Sequence, residues 1–383
     1  MPLLPALAVV LPLLLAAQTI EEQEWHLDAL DVYGAQAQTR GDGVIVGVID
    51  SGVDARHPDL VGRVLPGTGF GSSKGTDGTT DTDGHGTAMA AIIAGTGRNG
   101  GALGIAPGAK VLPVASAEKT QFALDVVAES IRWATDHGAK VINLSLGFTG
   151  STTPGLVRAV NYAVEKDVVL VAATGNEGKA VSAPANIGGV IAVAGTNRTG
   201  QPWKSSNVGA GTVLAAPAEG IVTAAPESVY SSGYAEMDGT SAASAIVAGA
   251  AALVRAKHPD MAAKDVVNAL IRTAKDVDVP GRDDRTGFGL VDPAAAVAAQ
   301  LPPVERNPLL PPPAPSTDPA PAAVAQERVA QQVVVKDRLP FVAGTAGGVA
   351  LLTALLIALP TARSRRRPQP ERVSAPGTPP TPW

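Results

Sequence analysis

The sequence predicts an α/β fold of three layers, in which a doubly wound, mostly parallel sheet lies between helices. Several short apolar runs are rich in β-branched residues and do not alternate with polar ones, which is typical of parallel strands buried on both faces. Helical stretches separate these runs, and this order predicts a parallel sheet with helices on both faces. The runs occupy residues 44–49, 111–114, 141–144, 168–171 and 190–193.

The predicted helices follow from apolar periodicity. In the stretch 122–137, Leu124, Val127, Ala128 and Ile131 recur with the spacing of one helix face. The other predicted helices lie at residues 87–94, 156–166, 241–257 and 263–273. In an open sheet of this kind, ligands bind beyond the carboxyl ends of the strands, so functional side chains are expected there.

Composition excludes several classes of function. The net charge of −5 lacks the basic footprint of a nucleic-acid-binding protein. With no cysteine, the chain has no disulfide scaffold, thiolate zinc site or cysteine nucleophile. Aromatic residues make up only 3%, so the core is expected to consist of Ala, Val, Ile and Leu.

The first apolar run predicts an export signal at residues 1–17. Ala16 and Ala17 offer a small-residue cleavage site, and the run is short for a membrane span. No Lys or Arg precedes the run, which makes it a weak signal, and whether it is cleaved stays open. A buried helix is disfavoured by Pro5 and Pro12.

The second apolar run predicts a transmembrane helix at residues 339–360. It has no charged residue and as a helix would span about 30 Å, which is one bilayer core. The arginines in the tail 361–383 place that tail in the cytoplasm and the preceding residues outside. A cell-wall sorting signal is disfavoured, because no Thr-Gly pair follows Leu339 and Pro340.

Composition also divides the rest of the chain. Residues 300–338 are rich in Pro and Ala and cannot bury a core, so they are expected to form an extended linker. Residues 18–40 form an N-terminal extension, and residues 41–299 form the folded domain.

Three motifs carry candidate catalytic residues. Asp50 ends a predicted strand, His85 lies between two glycines at the start of a helix, and Ser241 begins a helix of small residues. Each has an ordinary structural explanation when taken alone: an Asp that caps a turn, a His in a loop, and a Ser that caps a helix. Their order along the chain, Asp then His then Ser, is the order of the subtilisin arrangement.

Over about residues 25–298, the chain resembles the subtilisin-like serine proteases, in the boxes VIDSGVD, DGHGTAMA and DGTSAAS. The resemblance implies that Ser241 is the nucleophile, that His85 is the general base and acid, and that Asp50 orients His85. It also implies that Asn176, in the segment Ala-Thr-Gly-Asn-Glu-Gly, stabilises the oxyanion. The segment Ser145, Leu146 and Gly147 is implied to pair with the substrate backbone.

The overall layout is similar to that of the mycosins, the membrane-anchored subtilases of type VII secretion systems. The extension 18–40 is too short for a folding prodomain, and the resemblance implies that it wraps the protease without inhibiting it. The implied partners are protein or peptide substrates and a secretion complex in the membrane. A plain anchored subtilase, or a structural subunit of such a complex with little proteolytic role, remains an alternative.

No metal or cofactor is expected. His57-Pro58-Asp59-Leu60 resembles the box whose Asp binds calcium in some subtilisins, but Arg98 in the partner loop opposes a cation that needs six to eight oxygens. The acidic loop with Asp77, Asp81 and Asp83 is expected to be mobile and solvated, although it is an alternative place for a cation.

Overall fold

The structure is a computed structural model, and it describes residues 18–118, 121–148, 152–311 and 334–337. The predicted export signal, transmembrane helix and basic tail lie outside the described residues. Within those ranges, no helix is long and apolar enough to cross a membrane.

In the described part of the chain, seven parallel strands form the central sheet in the order β2-β3-β1-β6-β7-β8-β9. A smaller antiparallel sheet has the order β10-β11-β12, and β4 pairs with β5. The strands are β1 (Ile45–Asp50), β2 (Thr68–Gly69), β3 (Lys110–Ala115), β4 (Ala117–Glu118), β5 (Gln121–Phe122), β6 (Val141–Leu144), β7 (Val169–Ala173), β8 (Val190–Thr196), β9 (Leu214–Pro217), β10 (Ile221–Ala224), β11 (Tyr234–Asp238) and β12 (Val334–Asp337).

Helices cover both faces of the central sheet. Helices α3 and α6 pack against each other and on one face, and α4 and α5 pack together on the other. The prediction of an α/β fold with a mostly parallel sheet is therefore confirmed. The helices are α1 (Trp25–Ala29), α2 (Val32–Gln36), α3 (His85–Ala94), α4 (Leu124–Asp136), α5 (Pro154–Glu165), α6 (Thr240–Lys257), α7 (Ala263–Thr273) and α8 (Pro293–Ala298).

Helix α6 is the centre of the core. Every residue from Thr240 to Arg255 is buried, which an α-helix allows only when it is surrounded on all sides. Its small side chains let neighbouring elements approach closely. A methyl group on Gly249 would come 2.6 Å from Cβ of Ile105, so even alanine would not fit there without movement.

Segments on both sides of the predicted domain pack against it. Leu27, Leu30 and Val32 of the N-terminal extension are buried in the core, and α2 contacts α8. Beyond α8, the backbone N–H of Gly189 donates to the carbonyl oxygen of Leu309 at 3.1 Å. The first residues of the predicted linker, as far as residue 311, therefore lie against the folded domain.

The predicted site residues meet at one edge of the sheet. Asp50 is the last residue of β1, and Ser145 follows the last residue of β6, which is the strand next to β1. Asn176 lies three residues beyond the end of β7. Because parallel strands end together, these three residues line the carboxyl edge, where open α/β sheets bind ligands.

Candidate active site

The carboxylate of Asp50 is buried at the end of β1, with 1% of the residue exposed. Its Oδ1 accepts the backbone N–H of Ser51 at 2.8 Å and lies 2.8 Å from Nδ1 of His85. Its Oδ2 is buried and has no hydrogen-bond partner among the described residues. A buried carboxylate beside an imidazole fixes the ring with Nδ1 as the donor and Nε2 facing away.

Two glycines bring the ring of His85 to Asp50. Gly84 has φ of 102°, a left-handed conformation that glycine adopts without strain. A methyl group on Gly86 would lie 2.1 Å from the carbonyl oxygen of Gly52, so this position has no room for a side chain. The glycines therefore allow α3 to begin directly against the end of β1.

His85 is arranged to exchange a proton through Nε2. Its side chain is 11% exposed, and Nε2 has no hydrogen-bond partner in the part of the chain that the structure describes. Burial lowers the pKa of His85, but the charge and hydrogen bond of Asp50, together with the charges of Asp83 and Asp81, raise it more. The net pKa lies above the ordinary value of 6.5.

The turn before α3 is held by the carboxylate of Asp81. Its Oδ1 accepts from Ser51 Oγ, from the N–H of Asp83 and from the N–H of Gly84, at 2.9, 3.0 and 2.9 Å. Its Oδ2 accepts from both N–H and Oγ1 of Thr87, at 2.9 and 2.7 Å. The expectation of a solvated acidic loop is thus wrong for Asp81, which is 5% exposed, because helix-start N–H groups need acceptors.

Ser241 is the second residue of α6 and is fully buried. Its hydroxyl donates to the carbonyl oxygen of Ser145 at 3.3 Å rather than to His85. The backbone N–H of Ser241 lies in the first turn of α6, where N–H groups have no acceptor one turn earlier in the helix. The start of α6 thus supplies both a hydroxyl and a backbone donor at the edge of the sheet.

Asn176 presents an unpaired amide donor beside Ser241. Its Oδ1 accepts from both the N–H and the hydroxyl of Thr240 at 2.9 Å, which fixes the orientation of the amide. Its Nδ2 is buried and has no partner among the residues described here. A buried donor left unpaired costs about 1–3 kcal/mol, and a ligand oxygen would relieve that cost.

A methyl group on Gly239 would come 3.3 Å from Nδ2 of Asn176. Glycine at this position therefore leaves space at the donor for a ligand atom. The site can hold a developing negative charge next to the Ser241 hydroxyl.

The segment Ser145, Leu146 and Gly147 is close to Ser241, but the side chains of Ser145 and Leu146 are buried inside the protein. Ser145 Oγ accepts from Asn143 Nδ2 at 2.9 Å and donates to the carbonyl oxygen of Ser241 at 2.9 Å. Leu146 is fully buried. These side chains are already engaged, so only the backbone of this segment can meet a substrate, and its pairing with a peptide stays a prediction.

The carboxylate of Asp59 binds groups of the protein itself. Asp59 Oδ2 accepts from the N–H of Ala102 and from the hydroxyl of Tyr234, at 2.8 and 3.0 Å. Glu24, which the sequence did not single out, is buried nearby, and burial raises its pKa well above the ordinary value. Among the described residues, no group of three or more His, Cys, Asp or Glu side chains could hold a metal ion.

Comparisons with known proteins agree with this geometry. The model of the subtilase family of peptidases matches residues 41–289. Subtilisin BL of Lederbergia lenta is 37% identical over 258 residues, which cover 67% of this chain and 91% of that protein. Subtilisin DY of Bacillus licheniformis is 35% identical over 263 residues, covering 67% of this chain and 92% of that protein.

Solved structures of two secretion-associated proteases are also similar. The MycP3 protease from the type VII (ESX-3) secretion system is 34% identical, with a TM-score of 0.64, and covers 71% of this chain and 87% of that one. MycP1 from the ESX-1 type VII secretion system is 29% identical, with a TM-score of 0.65, and the match covers 77% of this chain and 91% of that one.

Proposed function

Because the chain belongs to the subtilase family and is a serine endopeptidase, we propose that Asp50, His85 and Ser241 hydrolyse peptide bonds as a catalytic triad. We further propose that Asn176 and the backbone N–H of Ser241 form the oxyanion site, and that residues 145–147 hold the substrate backbone. The protease would work outside the cytoplasm, anchored by residues 339–360 and associated with type VII secretion.

The proposed reaction begins when Ser241 Oγ attacks the scissile carbonyl carbon. Its proton passes to Nε2 of His85, while Asp50 accepts the hydrogen bond from Nδ1 and stabilises the imidazolium. The carbonyl oxygen becomes negative and receives hydrogen bonds from the oxyanion donors. When the intermediate collapses, the C–N bond breaks and His85 returns the proton to the leaving amine. Water then repeats these steps on the acyl-enzyme and frees Ser241.

The observation that carries the triad proposal is the hydrogen bond between Asp50 and His85, which leaves Nε2 unpartnered on the side of the ring away from Asp50. The hydroxyl of Ser241 bonds to Ser145 in this structure. Rotation about the Cα–Cβ bond of Ser241 moves Oγ between staggered positions at small cost. We expect a bound substrate to favour the position in which Oγ donates to His85, because apo catalytic hydrogen bonds tighten on binding.

The location of the enzyme is proposed on separate grounds. Support comes from the similarity to MycP1 and MycP3 and from the apolar run and arginine-rich tail at the C-terminal end of the sequence. In membrane fractions, deletion of residues 339–383 should release the protease into the soluble fraction with its activity intact. If the truncated protein stayed in the membrane, the proposed topology would be wrong and an uncleaved N-terminal anchor would replace it.

A serine-directed fluorophosphonate probe tests the chemistry. We expect it to label the wild type and the control variant Ser231→Ala, which changes an exposed serine, but not Ser241→Ala. Circular dichroism should show that all three proteins are folded. Absence of labelling in folded wild-type protein would contradict the proposed triad and favour a structural role in a secretion complex.

A further inference from the structure

Trp25 connects the N-terminal extension to the loop between β9 and β10. Its indole Nε1 donates to the carbonyl oxygens of Gly220 and Glu219, at 3.1 and 3.2 Å. The guanidinium carbon of Arg198 lies 5.3 Å from the centre of the indole ring, and Arg198 also donates to the carbonyl oxygen of Gly220 at 3.2 Å. The extension therefore fixes the position of Gly220 through a donor and a cation–π contact.

The same loop holds the residues that precede Ser241. The N–H of Gly220 donates to Oδ1 of Asp238 at 2.6 Å, and the N–H of Gly239 donates to the carbonyl oxygen of Ala218 at 2.7 Å. Residues 218–220 are thus bonded to Trp25 on one side and to the end of β11 on the other. A shift of this loop therefore acts on Asp238 through Gly220 and on Gly239 through Ala218.

Asp238 and Gly239 lead directly to the proposed oxyanion donors. Thr240 follows Gly239 and donates two hydrogen bonds, from its N–H and from its hydroxyl, to Oδ1 of Asn176. The Cα of Gly239 faces Asn176 Nδ2, because a methyl group placed there would lie 3.3 Å from that nitrogen. The position of this turn therefore sets where both Asn176 Nδ2 and the N–H of Ser241 point.

We propose that Trp25 is a positioning residue for peptide hydrolysis, acting through Gly220 and Asp238 on the oxyanion donors. This inference rests on the proposed function, since that function assigns the oxyanion role to Asn176 and to the N–H of Ser241. The N-terminal extension is then part of the catalytic apparatus in addition to being part of the fold.

Such a role predicts an effect on kcat and not on KM. Oxyanion donors form their strongest bonds only when the carbonyl oxygen carries negative charge, so they stabilise the transition state more than the bound substrate. A small displacement of these donors should lower kcat by about tenfold, because catalytic geometry tolerates little misplacement. The connection from Trp25 to the oxyanion donors does not pass through residues 145–147, which are proposed to hold the substrate backbone and which meet it where Ser145 bonds to Ser241.

The variant Trp25→Phe tests the connection, because it keeps an aromatic ring next to Arg198 and removes the N–H donor together with one ring of the indole. The matched control is Trp133→Phe, on α4 at the opposite face of the sheet, where the ring stacks on His137 at 3.8 Å. With a chromogenic peptide amide, we expect Trp25→Phe to lower kcat about tenfold and to leave KM unchanged. The control should leave both constants unchanged.

A double-mutant cycle then tests the path. If Trp25 acts through Asp238, the double variant Trp25→Phe, Asp238→Ala should lose no more kcat than Asp238→Ala alone. Effects that multiply would show that the two residues act independently and would overturn the proposal. A lower thermal midpoint for Trp25→Phe with unchanged kcat would also overturn it, since that result indicates a structural role only.

Hydrogen exchange separates failure of this inference from failure of the proposed function. If the wild type did not hydrolyse peptides, the proposed function would be wrong, but exchange of the amides of residues 238–241 would still report on the connection. Faster exchange at these amides in Trp25→Phe than in Trp133→Phe supports it. Equal exchange in the two variants overturns it.

Discussion

The turn that carries His85 is fixed by a buried charge, whereas the start of α6 is fixed to Asn176 by neutral groups. On the histidine side, the carboxylate of Asp81 accepts five hydrogen bonds from residues around the start of α3. On the serine side, Thr240 is bound by the amide oxygen of Asn176. The contact between Thr240 and Asn176 itself involves no ionisable group, whereas the turn before His85 depends on a carboxylate and should be the more sensitive of the two to a change of charge.

The largest expected effect comes from removing the charge next to His85. Asp50→Asn should lower kcat about 10⁴-fold, because an amide favours the wrong tautomer of the imidazole and cannot stabilise its charged form. The magnitude is that known for serine proteases with the same triad. Steady-state kinetics with a peptide amide would measure it, with exposed Asp260→Asn as the control. A loss of less than tenfold would contradict the role given to Asp50.

On the serine side, Asn176→Ala should lower kcat by about 10²- to 10³-fold, with little change in KM. The variant removes the donor Nδ2 and also the acceptor of Thr240, so a modest fall in the thermal midpoint is expected as well. Kinetics and calorimetry would separate the two effects. Asn161→Ala, an exposed change on α5, is the control. A rise in KM at constant kcat would mean that Asn176 binds substrate and does not stabilise the oxyanion.

Removing the charge of Asp81, which fixes the turn before His85, should lower the stability of the folded protein. Asp81→Asn turns one oxygen that accepts N–H groups into a donor, which leaves buried donors facing each other. We expect a loss of about 2–4 kcal/mol in the free energy of unfolding. The exposed Asp77→Asn should change it by less than about 0.5 kcal/mol. Urea unfolding measures both, and equal stability of the two variants would show that Asp81 does not hold the turn.

The smallest expected effect is a shift in pH dependence. Hydrolysis needs neutral His85, whose pKa is raised, so kcat/KM should rise through a midpoint above pH 6.5. The negative charge of Asp83 contributes to that raised pKa, and Asp83→Asn should therefore move the midpoint to lower pH. The pH profile of kcat/KM checks this against Asp77→Asn. A midpoint that moves upward would contradict the electrostatic explanation.

The same raised pKa has a defined effect on stability. The folded state binds a proton at His85 more tightly than the unfolded chain does. The stabilisation from His85 is therefore complete below the unfolded pKa and is lost as pH rises through the folded pKa.

Sequence patterns predicted the elements that are long and regular. The runs at 141–144 and 190–193 correspond to β6 and β8, and the helix at 263–273 has the observed bounds of α7. Buried parallel strands and amphipathic helices carry their pattern in consecutive residues, so no tertiary information is needed to find them. Helices α1 and α2 escaped notice because five residues are too few to show a helical period.

The residues of the candidate site also fall into two groups, those that local sequence identifies and those whose roles only the folded structure shows. Asp50, His85 and Ser241 can be identified because each lies in a local motif at the end of a predicted element, and the family resemblance adds Asn176. The roles of Asp81, Glu24 and Trp25 depend on partners that the chain brings together only when folded, such as Gly220 for Trp25. An acidic residue in a Gly- and Thr-rich loop has the same local pattern whether it is solvated or accepts five hydrogen bonds from the protein.

The burial of Leu27, Leu30 and Val32 has a consequence for how the protein is divided into parts. The recognisable family match begins at residue 41, yet these side chains lie in the core that surrounds the central sheet. The portion that matches the protease family is therefore smaller than the portion that builds the hydrophobic core. Proteolytic trimming at the family boundary would open a hole in the interior rather than remove an appendage.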